Sequence, residues 1–167
     1  MYNHPFKVRK AIYEVRTDMN LIHWAFESAL TETNDSSVQN YIYKMQEGDE
    51  RIQSNFEILK ADYLGPASDV LELEKEYYKC DLSRRRVSNL ILERKFDEAK
   101  SLNTHKDRGL NSEHLLRVTN MINVIDTFSS KKAAEINSVS IQLVEKYKME
   151  LIWLIVIILL TSVVLSI

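Results

Sequence analysis

Apolar residues recur at alternating spacings of three and four through residues 1–150, the pattern of amphipathic helices that share one core. The first two stripes consist of Val8, Ile12, Val15, Met19, Ile22 and Phe26, and of Val38, Ile42, Met45, Ile52, Phe56, Leu59 and Tyr63. The third and fourth consist of Val70, Leu73, Tyr77, Cys80, Val87 and Ile91, and of Val118, Met121, Ile125, Phe128, Ile136, Val139, Leu143 and Tyr147. Four long helices are therefore predicted.

Breaks between the stripes mark where the helices end. Asn34, Asp35 and Ser36 supply stop and N-cap residues before the second helix. Gly65-Pro66 breaks the chain before the third helix, and proline suits a first helical turn. A short helix is predicted over Asp97 to Leu102, followed by a turn at Arg108-Gly109.

Three of the predicted helices are each about 42 Å long, and the connections between them are short. These features predict an all-α protein, an antiparallel up-down-up-down four-helix bundle over residues 1–150. The fourth helix meets no breaker before residues 151–167. We therefore expect it to continue into that segment as one rod.

The segment from Leu151 to Ile167 contains no charged residue, because every Lys, Arg, Asp and Glu lies at or before Glu150. As a helix it would measure about 25 Å, at the short edge of what crosses a bilayer core of about 30 Å. Its unbroken Ile, Leu and Val residues predict a transmembrane helix. The expected anchor residues are Leu151, Trp153, Ile157, Leu160 and Val164.

Composition narrows the functional classes. Three glycines and two prolines leave few turns for a β-rich fold. A net charge of −2 gives no reason to expect nucleic-acid binding. The four histidines and the single cysteine lack metal-ligand spacing, and no nucleophile elbow or phosphate loop is present. We therefore expect neither an enzyme nor a resident metal or cofactor.

Charged or polar residues interrupt the stripes at four places: Asp49, Arg84 and Lys132 at seam positions, and His23 beside Ile22. Counted from the predicted membrane end, the four lie between about 21 and 27 Å up the bundle. They would then meet in one polar layer, with Asp49 paired to Arg84 or Lys132. Such a layer is either a buried ion pair that fixes helix register, or a polar site that binds a small anion or switches between packings. A different helical phase would instead place some of these charges in solvent.

A series of short motifs resembles the four-helix-bundle sensor domain of bacterial methyl-accepting chemotaxis receptors, in the variant seen in membrane histidine kinases and diguanylate cyclases. The matching positions are Asn3, His4, Pro5 and Val8, then His23, Asp49, Tyr63 to Gly65, Arg84, Val87, Ala99, Phe128 and Lys132-Ala133. The chain departs from this pattern at Cys80, where an aromatic residue is usual, and near Lys95, where glycine is usual.

The resemblance implies an extracytoplasmic sensor module in the bacterial inner membrane, single-pass in this chain. It also implies a homodimer that binds a small molecule, such as an organic or amino acid, or a partner protein. Because the family has a membrane helix before the sensor domain and a signalling module after it, we expect a fragment or a truncated form. The alternative is a tail-anchored helical interaction protein, SNARE-like or an adaptor.

Overall fold

A computed structural model of the chain describes residues 4–104 and 113–164, apart from the side chains of Thr104, Leu160, Val163 and Val164. The described residues are helical throughout, with short connections and no strand, which confirms the all-α class. The helices are α1 (His4–Thr31), α2 (Asp35–Asp62), α3 (Ala67–Leu92), α4 (Phe96–Thr104) and α5 (Glu113–Val164). The predicted turn at Arg108-Gly109 and the motif residue Asn3 lie outside the described residues.

The predicted helix boundaries are confirmed where the chain supplies capping chemistry. The side chain of Asn34 accepts a hydrogen bond of 3.1 Å from the backbone nitrogen of Ser37, which satisfies a free amide at the start of α2. Pro66, predicted for the first turn of the third helix, lies instead at the N-cap of α3, immediately before its first residue. The short predicted helix is α4, longer by one residue at its start and two at its end.

The chain forms two compact units, Met1–Ser130 and Lys131–Ile167. In the first unit α1 and α2 run in opposite directions, since His4 contacts Asp62 and Asp18 contacts Arg51. The two helices pack closely at Gly48, where an added Cβ would lie 2.7 Å from Cγ1 of Ile22. A glycine in the middle of α2 is thus explained by close packing.

The helices α2 and α3 also run in opposite directions, as the Lys60–Glu74 and Asp49–Arg84 contacts show. On α5 the core residues are Val118, Ile122 and Ile125, and the ring of Phe128 lies 5.3 Å from that of Tyr63. The predicted seam of α5 is therefore only partly correct. Met121 and Phe128 are half-buried, whereas Ile122 and Ser129 are buried.

In the second unit α5 carries ion pairs along its own surface, including Lys132–Glu135 and Lys146–Glu150. Side chains expected to continue the bundle seam are exposed here, among them Val139, Leu143 and Tyr147. Within the first unit, Phe128 packs beside the α2–α3 connection at Tyr63, the end of the bundle to which the predicted register assigns Lys148.

Candidate functional site

The predicted pair of Asp49 and Arg84 is a central feature of the first unit. The Nη2 atom of Arg84 on α3 donates a hydrogen bond of 2.5 Å to Oδ1 of Asp49 on α2. Both residues are buried, at 5% and 8% exposure. The seam positions at which a charge replaces an apolar residue therefore face each other across the α2–α3 interface, as the sequence predicts.

Two further side chains complete this pair. The hydroxyl of Tyr77 donates to Oδ1 of Asp49, and Nη2 of Arg84 also donates to Oδ1 of Asp81 at 2.7 Å. Arg85 closes the other side of Asp81 with a hydrogen bond of 2.7 Å from Nε to Oδ2. We call Asp49, Tyr77, Asp81 and Arg84, together with the exposed Arg85 at their edge, the buried ionic cluster.

The buried ionic cluster is balanced in charge, with two carboxylates and two guanidinium groups. Burial raises the pKa of Asp49, an effect that Arg84 and the Tyr77 hydroxyl oppose. Burial also raises the pKa of Tyr77, which keeps the phenol protonated and able to donate. Because the cluster's charges contact one another directly, its geometry fits the register-fixing ion pair better than an anion site.

Sequence reasoning missed Asp81 and the polar role of Tyr77. Asp81 lies one helical turn before both Arg84 and Arg85, a spacing at which helix side chains meet. The apolar pattern places Tyr77 on the seam of α3, and in the structure its hydroxyl contacts Asp49, the carboxylate on the seam of α2. The spacing of Asp81 from Arg84 and Arg85, three and four residues, was the signal in the sequence that predicts these ion pairs.

The other two predicted residues are not in this cluster. His23 is exposed on α1, one position beyond the buried Ile22. Lys132 lies in the second unit, where its Nζ atom is 2.7 Å from Glu135 on the same helix. His23 therefore does not join Asp49 and Arg84 in the predicted polar layer. The assumed register placed Lys148 at the end of the bundle, whereas Phe128 is the residue that contacts Tyr63.

His23 instead lines a cleft of 350 Å³ between α1 and the first turns of α5. Arg16 and Asn20 share its α1 wall, and Thr119 and Asn123 stand on α5. Nη2 of Arg16 donates to Oδ1 of Asn123 at 3.1 Å, which ties the two walls together. The apolar residues Met19, Leu115 and Ile122 complete the lining. A lining that combines apolar and polar side chains is usual for a small-molecule pocket.

A second polar contact holds the start of α5 to α3. The side chain of Glu76 is only 5% exposed, and its Oε2 atom lies 2.6 Å from Nδ1 of His114. Lys79 donates to the other carboxylate oxygen at 2.6 Å. The hydrogen bond from Lys79, assisted by His114, lowers the pKa of Glu76. A charged carboxylate therefore anchors the first turn of α5.

The predicted anchor residues that can be described are all exposed. Leu151, Trp153 and Ile157 show 58%, 63% and 55% exposure, and Leu160 and Val164 have side chains outside the described set. No helix among the described residues contains a stretch long and apolar enough to cross a membrane. The described part of the chain also holds no group of three or more His, Cys, Asp and Glu side chains arranged to bind a metal.

Comparison with known proteins gives no relative. No protein family, no curated protein and no solved structure matches the chain.

Proposed function

We propose that this chain is the sensing module of a single- or double-pass membrane receptor that passes a ligand or partner signal along α5, with no catalytic role. The observation that carries the proposal is the continuity of α5. One unbroken helix forms a wall of the His23 cleft at Leu115 and Thr119 and then extends to Val164. A change at the cleft would therefore be delivered to the apolar end of the same helix.

The continuity of α5 supports this proposal. The helix has 52 residues, and no proline interrupts it. Its first turns are tied to α3 by Glu76–His114 and to α1 by Arg16–Asn123. A ligand that alters the Arg16–Asn123 contact would change the position of α5 without unfolding the core.

The apolar end of α5 supports attachment to a membrane. The large hydrophobic side chains from Leu151 to Leu159 are all exposed, and no charge interrupts the segment from Leu151 to Ile167. An apolar surface of this kind is unfavourable in water and favourable in lipid. On this proposal the first unit is an up-down-up-down bundle on the outer side of a bacterial inner membrane, it works as a homodimer, and the output domain is elsewhere.

Membrane insertion can be tested with the full chain in bacterial cells. We expect the protein to stay in the membrane pellet after alkaline extraction, and the Ile155→Lys/Ile158→Lys variant to be released. A lysine at the centre of a membrane helix costs about 3 kcal/mol. The matched control is Leu116→Lys/Val124→Lys, on exposed positions of the first unit. Release of the native chain would refute the membrane proposal.

The side of the membrane separates the proposal from the tail-anchored alternative. A cysteine at the exposed Glu27 should react with a membrane-impermeant maleimide in intact spheroplasts, while the native chain, whose Cys80 is buried, gives the background. Labelling only after lysis would place the bundle in the cytoplasm and favour the tail-anchored interaction protein.

The ligand part of the proposal is tested by thermal unfolding of the detergent-solubilised full chain with organic acids and amino acids. A ligand of the cleft raises the transition with dose, because binding stabilises the folded state by mass action. Arg16→Gln should abolish that rise, and Arg86→Gln, at an exposed position on α3, should not. A rise that survives Arg16→Gln would exclude the cleft as the binding site.

A further inference from the structure

The described lining of the His23 cleft carries positive charge and includes no carboxylate. Its α1 wall presents Arg16, Asn20 and His23, which follow one another at spacings of four and three residues on one face of the helix. Its α5 wall adds Thr119 and Asn123, which are polar but do not ionise. A cleft that combines a cation with neutral hydrogen-bonding groups favours an anionic ligand over a cationic one.

The two groups of this lining that can carry positive charge lie at different heights along α1. Seven residues separate Arg16 from His23, which is two helical turns or about 10.5 Å. Asn20 lies between them, and Thr119 and Asn123 line the other wall. A short dicarboxylate matches this order, because it is anionic at both ends and uncharged in the middle. The ammonium group of an amino acid would find no carboxylate in the described lining.

Arg16 is placed to bind one of the two carboxylates. Its Nη2 atom donates to Oδ1 of Asn123, and its nearest carboxylate, that of Asp126, is 3.8 Å away. The side chain is 48% exposed, and a guanidinium has several N–H donors besides the one bound to Asn123. Arg16 can therefore form charge-assisted hydrogen bonds to a carboxylate that enters the cleft.

His23 supplies a charge that depends on pH. Its side chain is exposed, and it forms no hydrogen bond or ion pair within the described part of the chain. Histidine changes its charge between about pH 5 and pH 8, and an adjacent carboxylate favours the charged form of the imidazole. A carboxylate beside His23 is therefore held strongly when the imidazole carries a proton and weakly when it does not.

Other charged side chains near the cleft do not take this role. On α1, Glu27 lies one turn beyond His23 and is exposed, and Lys44 of α2 lies over the ring of Trp24. The described ionisable groups beside the α5 wall form the pairs Glu76–His114, Glu113–Arg117 and Arg9–Asp126. Of the described side chains that line the cleft, only His23 changes its charge between about pH 5 and pH 8.

We infer that the His23 cleft binds a short dicarboxylate, with one carboxylate on Arg16 and the other on protonated His23, and that binding weakens as His23 loses its proton. This inference rests on the proposed function, because it names the ligand class and the regulation of the same cleft. It makes mild acid the condition in which the cleft is occupied.

The test is calorimetric titration of the full chain in non-ionic detergent with butanedioate at pH 6 and pH 8. Butanoate, with one carboxylate on a chain of the same length, and the uncharged 1,4-butanediol are the comparison ligands. We expect saturable binding of butanedioate at pH 6 and none of butanediol. Binding of butanedioate at pH 8, and of butanoate at pH 6, should each be weaker by about tenfold, since each lacks one charge-assisted hydrogen bond.

Two variants separate the charge of His23 from any structural role. His23→Arg should bind butanedioate equally well at pH 6 and pH 8, because arginine keeps its charge. His23→Gln should bind it weakly at both pH values. The position is exposed, so neither substitution removes a core residue. The matched control is His4→Gln, on the same helix but outside the cleft, which should keep the pH dependence of the native chain.

Three results would overturn this inference: butanoate binding as tightly as butanedioate, equal binding of butanedioate at pH 6 and pH 8, or a pH dependence that survives His23→Gln and so belongs to another group such as His114. Absence of butanedioate binding would also overturn it. If another acid still raises the unfolding transition and Arg16→Gln abolishes that rise, the cleft remains the ligand site of the proposed function and only the dicarboxylate inference fails.

Discussion

Gly48 of α2 lies against Ile22 of α1 so closely that a Cβ at position 48 would be 2.7 Å from Cγ1 of Ile22. Ile22 is 1% exposed, so its side chain is enclosed by the core. The contact sets the spacing of α1 and α2 next to the buried Asp49. Position 48 is thus a point where the size of one atom controls the packing of two helices.

Gly48→Ala should destabilise the protein despite the better helix propensity of alanine. The propensity gain is about 1 kcal/mol, and overpacking a rigid core costs about 1 to 3 kcal/mol. Urea unfolding of the full chain measures the net loss. In an Ile22→Ala background the same substitution should be neutral or stabilising, because the opposing side chain is gone. An equal loss in both backgrounds would show that Ile22 is not the obstacle.

Removal of Arg84 should cost more stability than removal of Asp49. Arg84→Met leaves two buried carboxylates, Asp49 and Asp81, without their shared partner, whereas Asp49→Asn leaves Arg84 paired with Asp81. We expect a loss of about 3 to 5 kcal/mol for Arg84→Met and a smaller loss for Asp49→Asn, measured by urea unfolding. The double variant should lose less than the sum of the two. Equal single losses, or strict additivity, would contradict the cluster geometry.

Glu76 should make the first unit sensitive to acid. The pKa of Glu76 is lowered in the folded protein, so the unfolded chain binds a proton more readily and stability falls as the pH drops below the ordinary carboxyl value of 4.5. Unfolding curves should show that the native chain has a higher free energy of unfolding than Glu76→Gln at pH 6, and that this difference shrinks towards pH 3. Glu74→Gln, at a partly exposed ion pair on α3, is the control. A constant difference across the window would contradict this role.

Arg94 holds a left-handed backbone conformation that a non-glycine residue adopts at a cost. Its φ is 63°, and Lys95 N and Arg94 N donate to the oxygens of Leu90 and Ile91, the hydrogen bonds of a Schellman ending. Its side chain contacts Asp35 at the start of α2. Arg94→Ala and Arg94→Gly both remove this contact, but only glycine relieves the backbone.

The glycine variant at position 94 should therefore be more stable than the alanine variant by about 1 kcal/mol. Thermal unfolding of the two variants side by side gives the difference directly. The same pair of substitutions at the exposed helical position Arg86 should reverse the order, since alanine is favoured within a helix. Identical stabilities at position 94 would show that the backbone there is not strained.

The sequence alone determined the helices and the apolar faces of α1, α2 and α3. The spacing of three and four fixed α1, α2 and α3, because a helix must bury one continuous apolar face. Asn34 and Gly65-Pro66 defined helix ends through local backbone chemistry. Charges at seam positions predicted that Asp49 pairs with Arg84 or Lys132, since buried charges require partners, and the structure shows the pair with Arg84.

The tertiary structure decided what depends on the relative height of helices. Local periodicity repeats every turn, so it cannot show that Phe128 rather than Tyr147 lies at the α2–α3 connection. The tertiary structure also placed His23 on a separate cleft, away from Asp49 and Arg84. A groove lined by Asp18 and Asn55 also arises between α1 and α2, and the pattern of neither helix alone predicts it.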